Sequence, residues 1–361
     1  MSLPTHPISV LMDIQDIVIV DSVLAGENAS RAVVIHAATL EALNSVGCLD
    51  KLLKVGDKVH CLVLRDGASY LISVDFSLLA PYTNYPFGLV LPRDARNPGG
   101  AGGQGSAPVQ GRVPEVRQEI GISFNDPDGD KVHDYGNMSQ LVLGDVTFPP
   151  PALTALASLM DGNLVFLAPF PASVSPDPER LDGTAPHAPS TKYLESLLNR
   201  CAPSAVSSDP AVNPHLIRIE KTYWSSRYRT RSAIAERTFA RFRDQRESGV
   251  VLLIGDAAHI HWPVGGQGMS LGIRDAISLG PALRAHIDSA VQDTPSDQDR
   301  LLADRAASRH GRARTVIVLT KGALGVMVGR RWLGFTLLRF MGSFKFVQRM
   351  VAYRLSGLAE I

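Results

Sequence analysis

Gly255-Asp256-Ala257-Ala258-His259, continued by Pro263-Val264-Gly265-Gly266-Gln267-Gly268-Met269-Ser270-Leu271-Gly272-Ile273-Arg274-Asp275-Ala276, is the stretch whose reading decides the fold. The apolar run Val250 to Ile254 leads into it, and Leu271, Ile273, Ala276, Ile277 and Leu279 follow at helical spacing. A strand, a tight loop rich in Pro and Gly, and a helix N-terminus are therefore predicted in that order. Glycines let a ligand approach the backbone, and the amides at a helix start favour negative charge. Asp256, at the strand's end, can accept hydrogen bonds from ligand hydroxyls. By itself such a corner serves as a nucleotide site or as an ordinary loop.

Upstream, Ile17 to Val20 is a short β-branched run ending at Asp21, the pattern of a buried parallel strand. An acid there can bond a ribose or simply close a turn. Thr39 to Leu43 reads as a helix that Gly47 closes, with a second helix over Gly47 to Leu53. Val59 to Arg65 and Tyr70 to Phe76 alternate as two strands around the turn Asp66-Gly67, and Tyr85-Pro86-Phe87 opens a further strand through Leu91. Gly100, Gly102 and Gly105 formally satisfy G-x-G-x-x-G, the loop a nicotinamide dehydrogenase would need. Arg-Asn-Pro before it and Ser-Ala-Pro after it supply neither the strand nor the helix such a loop requires, so residues 93–115 read as a flexible linker. Order resumes at Val116 to Phe124. Leu141 to Phe148, Asn163 to Phe170 and His215 to Trp224 read as strands, with a helix from Tyr193 to Arg200 between the last two.

The stretch from Gly255 to Ala276 resembles the second flavin fingerprint of the FAD-dependent aromatic hydroxylases, the flavoprotein monooxygenases like para-hydroxybenzoate hydroxylase and phenol hydroxylase. About twenty consecutive positions carry the likeness, among them the Asp, the His, the Pro, three glycines and the later Asp-Ala. It implies FAD as cofactor, NAD(P)H as co-substrate, and contacts from Asp256, Pro263, Gly265, Gly266, Gln267, Gly268, Met269 and Ser270. The family usually has Asn where this chain has Ser270, which keeps a hydroxyl but loses the amide's paired donor and acceptor. Ser30-Arg31-Ala32 resembles the element that lies against the flavin in the same enzymes, making Arg31 the candidate for a phosphate or ribityl contact. Asp21 is the candidate for the ribose. Tyr223, Trp224 and Tyr228 fall where the family's substrate sheet roofs its aromatic ligand. His259 reads as a structural hydrogen-bonding residue, and spacing makes neither it nor His261 a base.

The predicted fold is α/β (α+β): a Rossmann-like β/α FAD-binding domain, incomplete, with an inserted antiparallel β-sheet substrate domain and C-terminal helices. Residues 1–92 and 236–300 form the FAD-binding parts, 116–235 the substrate sheet and 301–361 the helices. Family members begin with a strand, a Gly-rich loop and a helix around the FAD pyrophosphate. The sixteen residues before Ile17 contain no glycine and are too few for all three, and the middle Asp-Gly fingerprint expected before Val116 falls in the linker. The chain is thus expected to be truncated relative to the family, with weakened FAD affinity. The activity implied is hydroxylation of a phenolic or other aromatic small molecule. The alternative is a noncatalytic remnant working as a binding or dimerisation module.

Composition bounds the rest. Hydrophobic residues at 45% and charged residues at 20% indicate a globular chain, and a net charge of +1 in 361 residues gives no reason to expect nucleic acid. Cys48, Cys61 and Cys201 match neither a zinc pattern nor a disulfide framework, and no secretory signal is visible in Met1 to Pro7, so a cytoplasmic protein without bound metal is expected. The apolar run Val316 to Val328 is interrupted by Lys321 and too short to span a bilayer. Arg330, Arg331, Trp332, Phe335, Arg339, Phe340 and Lys345 make a basic amphipathic surface, which either packs on its own domain or makes a weak peripheral membrane contact.

Overall fold

The computed structural model describes residues 20–21, 34–66, 69–91, 109–110, 113–126, 140–148, 168–169, 185–201, 204–229, 232–243, 248–262, 266–289, 295–328 and 331–360. Helices and small sheets alternate along these segments. The helices are α1 (Ala37–Ser45), α2 (Leu49–Val55), α3 (Val113–Glu119), α4 (Thr191–Cys201), α5 (Gly268–Ser289), α6 (Pro295–Val328), α7 (Arg331–Gly342) and α8 (Lys345–Leu355). Gly47 does close α1: its φ of +68° lets the Cys48 and Gly47 amides donate back to Leu43 and Asn44, the paired bonds of a left-handed helix stop.

β1 (Val20–Asp21) runs parallel to β7 (Val109–Gln110), as a β/α domain requires. Val20 is 38% exposed rather than buried, and among the described residues this sheet has only two strands. β2 (Val34–Ile35), β6 (Gly88–Val90) and β3 (Asp57–Val59) form an antiparallel sheet, and Leu89 and Ile35 pack with Leu40, Leu43, Leu49 and Leu52 of α1 and α2. Met269, Ile273 and Ile277 of α5 lie against the same cluster. The hairpin predicted around Asp66-Gly67 is β4 (Cys61–Asp66) with β5 (Ser69–Asp75), and α7 and α8 lie against β5.

The larger antiparallel sheet has the order β10 (Ala168–Pro169), β9 (Gln140–Thr147), β11 (Lys221–Arg229). Tyr193, Leu194, Leu197 and Leu198 form the apolar stripe of α4, which begins at Ser190, whose hydroxyl accepts the Tyr193 amide. That stripe packs on Val142, Phe148, Ile217 and Ile219. The strand read from His215 starts only at Lys221. Ile217 and Ile219 still alternate inward, but the Ile219 amide is taken by the Glu195 carboxylate, and pairing with β9 begins one residue later, where Glu220 donates to Thr147.

The run at Val250 also differs from its reading. β14 (Ser248–Leu252) pairs antiparallel with β13 (Phe239–Arg243), and a 3-10 turn at Gly255–Ala257 follows. β15 (His259–Ile260) then pairs with β12 (Ala233–Ala235), which pairs with β8 (Phe124–Asn125). A turn and a short strand thus intervene between the apolar run and the loop. Leu271, fully buried, joins α5 to Ile234 of β12 and to Ala313, Val316 and Ile317 of α6. Replacing Leu271 with Ala should cost about 3 kcal/mol, measured as a lower urea midpoint, because these close-packed helices leave a cavity that they cannot fill by relaxing.

Candidate functional site

The turn Gly255–Ala257 is held from four directions. Gly255 adopts φ +55°, which a side chain would strain, and its amide donates to Asp275 Oδ2 at 3.2 Å. The Ala257 carbonyl accepts from Arg117 Nη1 at 3.1 Å, and the Ala258 carbonyl accepts the Ala235 amide at 2.8 Å. Against α5 the two backbones touch: a Cβ on Gly272 would lie 3.2 Å from Gly255 Cα, so only glycine there lets the turn rest on the helix. Arg117, buried and stacked 3.8 Å over the Phe124 ring, ties α3 and β8 to the same place.

Asp275 is the anchor. Its carboxylate accepts from His259 Nε2 at 2.6 Å and from Arg309 Nε at 2.8 Å, and all three side chains are buried. Burial pushes the carboxyl's pKa up, but the hydrogen bond from His259 and the charges of His259 and Arg309 outweigh it and hold the group below its ordinary value of 3.8. An ionised carboxylate only accepts, so His259 Nε2 carries a proton and donates. The structural role read for His259 is thus what the geometry gives it. Arg309 escaped notice, although the sequence carries its signal. On α6 the buried positions among the described residues are Leu302, Ala306, Arg309, Ala313, Val316, Ile317 and Thr320, a helical stripe in which one cation replaces an apolar residue and must find a partner.

Beyond the turn, His261 and Gln267 are 7% and 2% exposed. His261 Nδ1 donates to the Trp262 carbonyl at 2.7 Å, which leaves Nε2 as a bare acceptor with no hydrogen-bond partner. Burial pushes this imidazole's pKa down, against the raising effect of that carbonyl, so the ring is neutral at neutral pH. Gln267 Nε2 donates to the carbonyls of Arg354 and Leu355 at 3.1 and 2.9 Å, and its Oε1 has no hydrogen-bond partner. Gly266, at φ +64°, and Gly268 face imidazole nitrogens: Cβ positions built on them lie 3.8 Å from His36 Nε2 and 3.9 Å from His261 Nε2. Glycine backbone, two imidazoles and the start of α5 thus lie side by side.

Of the residues predicted to hold a cofactor, Gly266, Gln267, Gly268, Met269 and Ser270 come together here, with Asp256 exposed on the neighbouring turn. Met269 contributes to the core beneath, and Ser270 is buried, its hydroxyl accepting the His36 amide at 3.4 Å and its carbonyl accepting the Thr39 hydroxyl at 3.2 Å. Asp21 sits at the end of β1, and its side chain lies outside the described set, as do Arg31, Pro263 and Gly265. On the larger sheet Tyr223 is exposed at the β11 bulge with the Lys221 ammonium 4.4 Å over its ring, and Trp224 is partly buried. Tyr228 pairs with Leu141 through its backbone, its side chain also lying outside the described set.

Residues 214–316 match the FAD binding domain family, a span that contains the whole Asp275 network. Similar proteins include an uncharacterized aromatic compound monooxygenase, YhjG, of Bacillus subtilis, 28% identical over 303 residues. Rifampicin monooxygenase of Streptomyces venezuelae is 40% identical over 103 residues. The similarity thus runs to an FAD binding domain and to proteins named as monooxygenases. The fold agrees: p-nitrophenol 4-monooxygenase PnpA from Pseudomonas putida superposes with a TM-score of 0.65 at 20% identity, covering 98% of this chain and 95% of that one. OxyS anhydrotetracycline hydroxylase from Streptomyces rimosus gives 0.61 at 22% identity, covering 98% and 74%. The sequence matches cover 72% of this chain and 54% of YhjG, and 28% of this chain and 20% of rifampicin monooxygenase, so the chain spans about half the length of the first of these curated relatives and less of the second.

The buried carboxylate makes stability depend on acid. A depressed folded-state pKa contributes stability that is complete above the unfolded value of about 4 and is lost as pH falls through the folded value. Asp275→Asn should therefore lower the unfolding free energy near pH 7 by about 3 kcal/mol, by leaving Arg309 buried without its counter-charge. It should also flatten the loss of stability below about pH 4, measured by denaturant titration across pH.

Proposed function

We propose that the groups beside the Gly255 turn and the start of α5 bind the flavin and ribityl part of FAD. On this reading the chain is a monooxygenase acting on an aromatic small molecule with NAD(P)H as reductant. What carries the proposal is the pair of buried acceptors, His261 Nε2 and Gln267 Oε1, that no protein donor satisfies. An acceptor left so costs roughly 1–3 kcal/mol, and a ligand hydroxyl or N–H removes that cost. FAD offers both kinds of donor, whereas a phosphate oxygen offers neither at a neutral imidazole.

Bound FAD would supply the redox chemistry, taking reducing equivalents from a nicotinamide and activating dioxygen toward an electron-rich ring. The chain's residues do the rest. Asp256 accepts from ribityl hydroxyls, and the first amides of α5, a helix of 22 residues, favour negative charge beside them. Asp275 holds the turn so that these groups are preorganised, and Gly266 and Gly268 let a flat ring come close to the backbone. Asp21 and Arg31 are assigned to the ribose and to a phosphate or ribityl oxygen. Tyr223, Trp224 and Tyr228 are assigned to the aromatic substrate. The names of the relatives support the substrate class, since they specify an aromatic compound, rifampicin and anhydrotetracycline.

One observation favours the noncatalytic alternative, a binding or dimerisation module: the Ser270 hydroxyl accepts the His36 amide and is used within the protein. Flavin titration separates the two readings. The purified chain should quench FAD fluorescence with a Kd at or below about 10 μM, near −7 kcal/mol. Asp256→Ala, at an exposed position, should weaken binding at least tenfold, about 1.4 kcal/mol, with the unfolding midpoint of the flavin-free chain unchanged. A wild-type chain that leaves FAD free at about 100 μM, near −5.5 kcal/mol, removes the oxygenase and leaves the module.

A further inference from the structure

We propose that the outer face of α7 and α8 docks on an anionic lipid bilayer. The two helices spend their inner faces on the protein. Val347 and Ala352 are buried, and a Cβ on Gly342 would lie 2.9 Å from Ile72 of β5, so the packing there is already tight. The outer face carries Leu337, Phe340, Phe344, Phe346 and Met350, each between 39% and 63% exposed. They form one patch: the Phe340 and Phe344 rings are 5.2 Å apart, Phe344 and Phe346 5.9 Å, while Leu337 lies one turn before Phe340 and Met350 one turn after Phe346. Large apolar side chains clustered in this way mark a surface meant to be covered.

Charge identifies the cover. Residues 305–359 hold eleven Lys and Arg and no Asp or Glu, so the remaining 25 cations face 35 acids and the near-zero net charge conceals a strongly cationic end. Exposed Arg339, Lys345, Arg349 and Arg354 stand on the same two helices as the aromatic patch. A second copy meeting this face about a two-fold axis would set cation against cation. Nucleic acid would accept the cations but leave Leu337, Phe346 and Met350 without an apolar partner. An interface of acyl chains beneath acidic headgroups satisfies both, the arrangement of a helix lying in the headgroup layer. Among the described residues no helix is long and apolar enough to cross a membrane, so the contact is peripheral.

Sedimentation of the full chain with vesicles tests this directly. Vesicles of phosphatidylcholine with about 30 mol% phosphatidylserine should pull the protein down at least tenfold better than pure phosphatidylcholine, the advantage shrinking as salt rises from about 0.1 to 0.5 M. Lys345→Glu with Arg349→Glu should reduce partition by roughly 25-fold or more, about fivefold for each cation removed. Phe340→Glu with Phe346→Glu should reduce it at least tenfold, and both pairs, being exposed, should leave the thermal midpoint unchanged. Equal partition to the two vesicle types, or none, overturns the proposal. So does a dimer in sedimentation equilibrium that the Phe340→Glu/Phe346→Glu variant dissociates, since the face would then belong to a second copy.

Discussion

A single buried carboxylate decides how the candidate site is shaped. Asp275 receives the Gly255 amide, the His259 imidazole and the Arg309 guanidinium, three groups from a turn, a short strand and a 34-residue helix. A charge at that depth is tolerated only if each oxygen is satisfied and an opposite charge stands beside it. The requirement works in both directions. The turn cannot drift without stripping a donor from the carboxylate, and α6 cannot slide without burying a lone guanidinium. The contact between Gly255 and Gly272 then fixes the distance at which turn and helix meet.

Local signals in the sequence translated well into local structure. The hairpin around Asp66-Gly67, the stop at Gly47 and the stripe of α4 all follow from patterns spanning a few residues, and each is present. Contacts across long separations were harder to see. Gln267 and Ser270 lie in a glycine-rich loop whose composition suggests ligand contact, yet each sends its polar atoms largely to the protein, to backbone 87 residues downstream and 234 residues upstream. No periodicity reports such partners. Arg309 was legible in principle, as a charge in an apolar stripe, but its partner Asp275 could be named only once the helices were placed. The strand read from His215 failed for a related reason, since a distant carboxylate, Glu195, competes for the Ile219 amide. Readings that fell on Ile17 to Ile19, Arg31, the linker glycines and Pro263 to Gly265 lie outside the described residues.

The larger sheet and α4 share a core of their own, separate from the clusters that join α5 to α1, α2 and α6. Folds of this kind host many chemistries, so what distinguishes this chain lies in the groups beside the start of α5. There the polar groups divide into two kinds. Asp275, Arg117 and Arg309 face inward and maintain shape, whereas His261 Nε2 and Gln267 Oε1 have been excluded from that internal economy.

The carbonyls at and just after the end of α8 are received by groups made much earlier in the chain: Arg354 and Leu355 by Gln267, Ser356 by the Ala38 amide, and Gly357 by Arg274. A ribosome adding about 5–20 residues per second takes roughly 4 to 17 s to travel the 87 residues from Gln267 to Arg354. During that interval the glycine loop has left the peptidyl-transferase centre without the segment that pins its glutamine. The nascent polypeptide therefore passes through a stage in which Gln267 has been made and the two carbonyls that receive its amide have not.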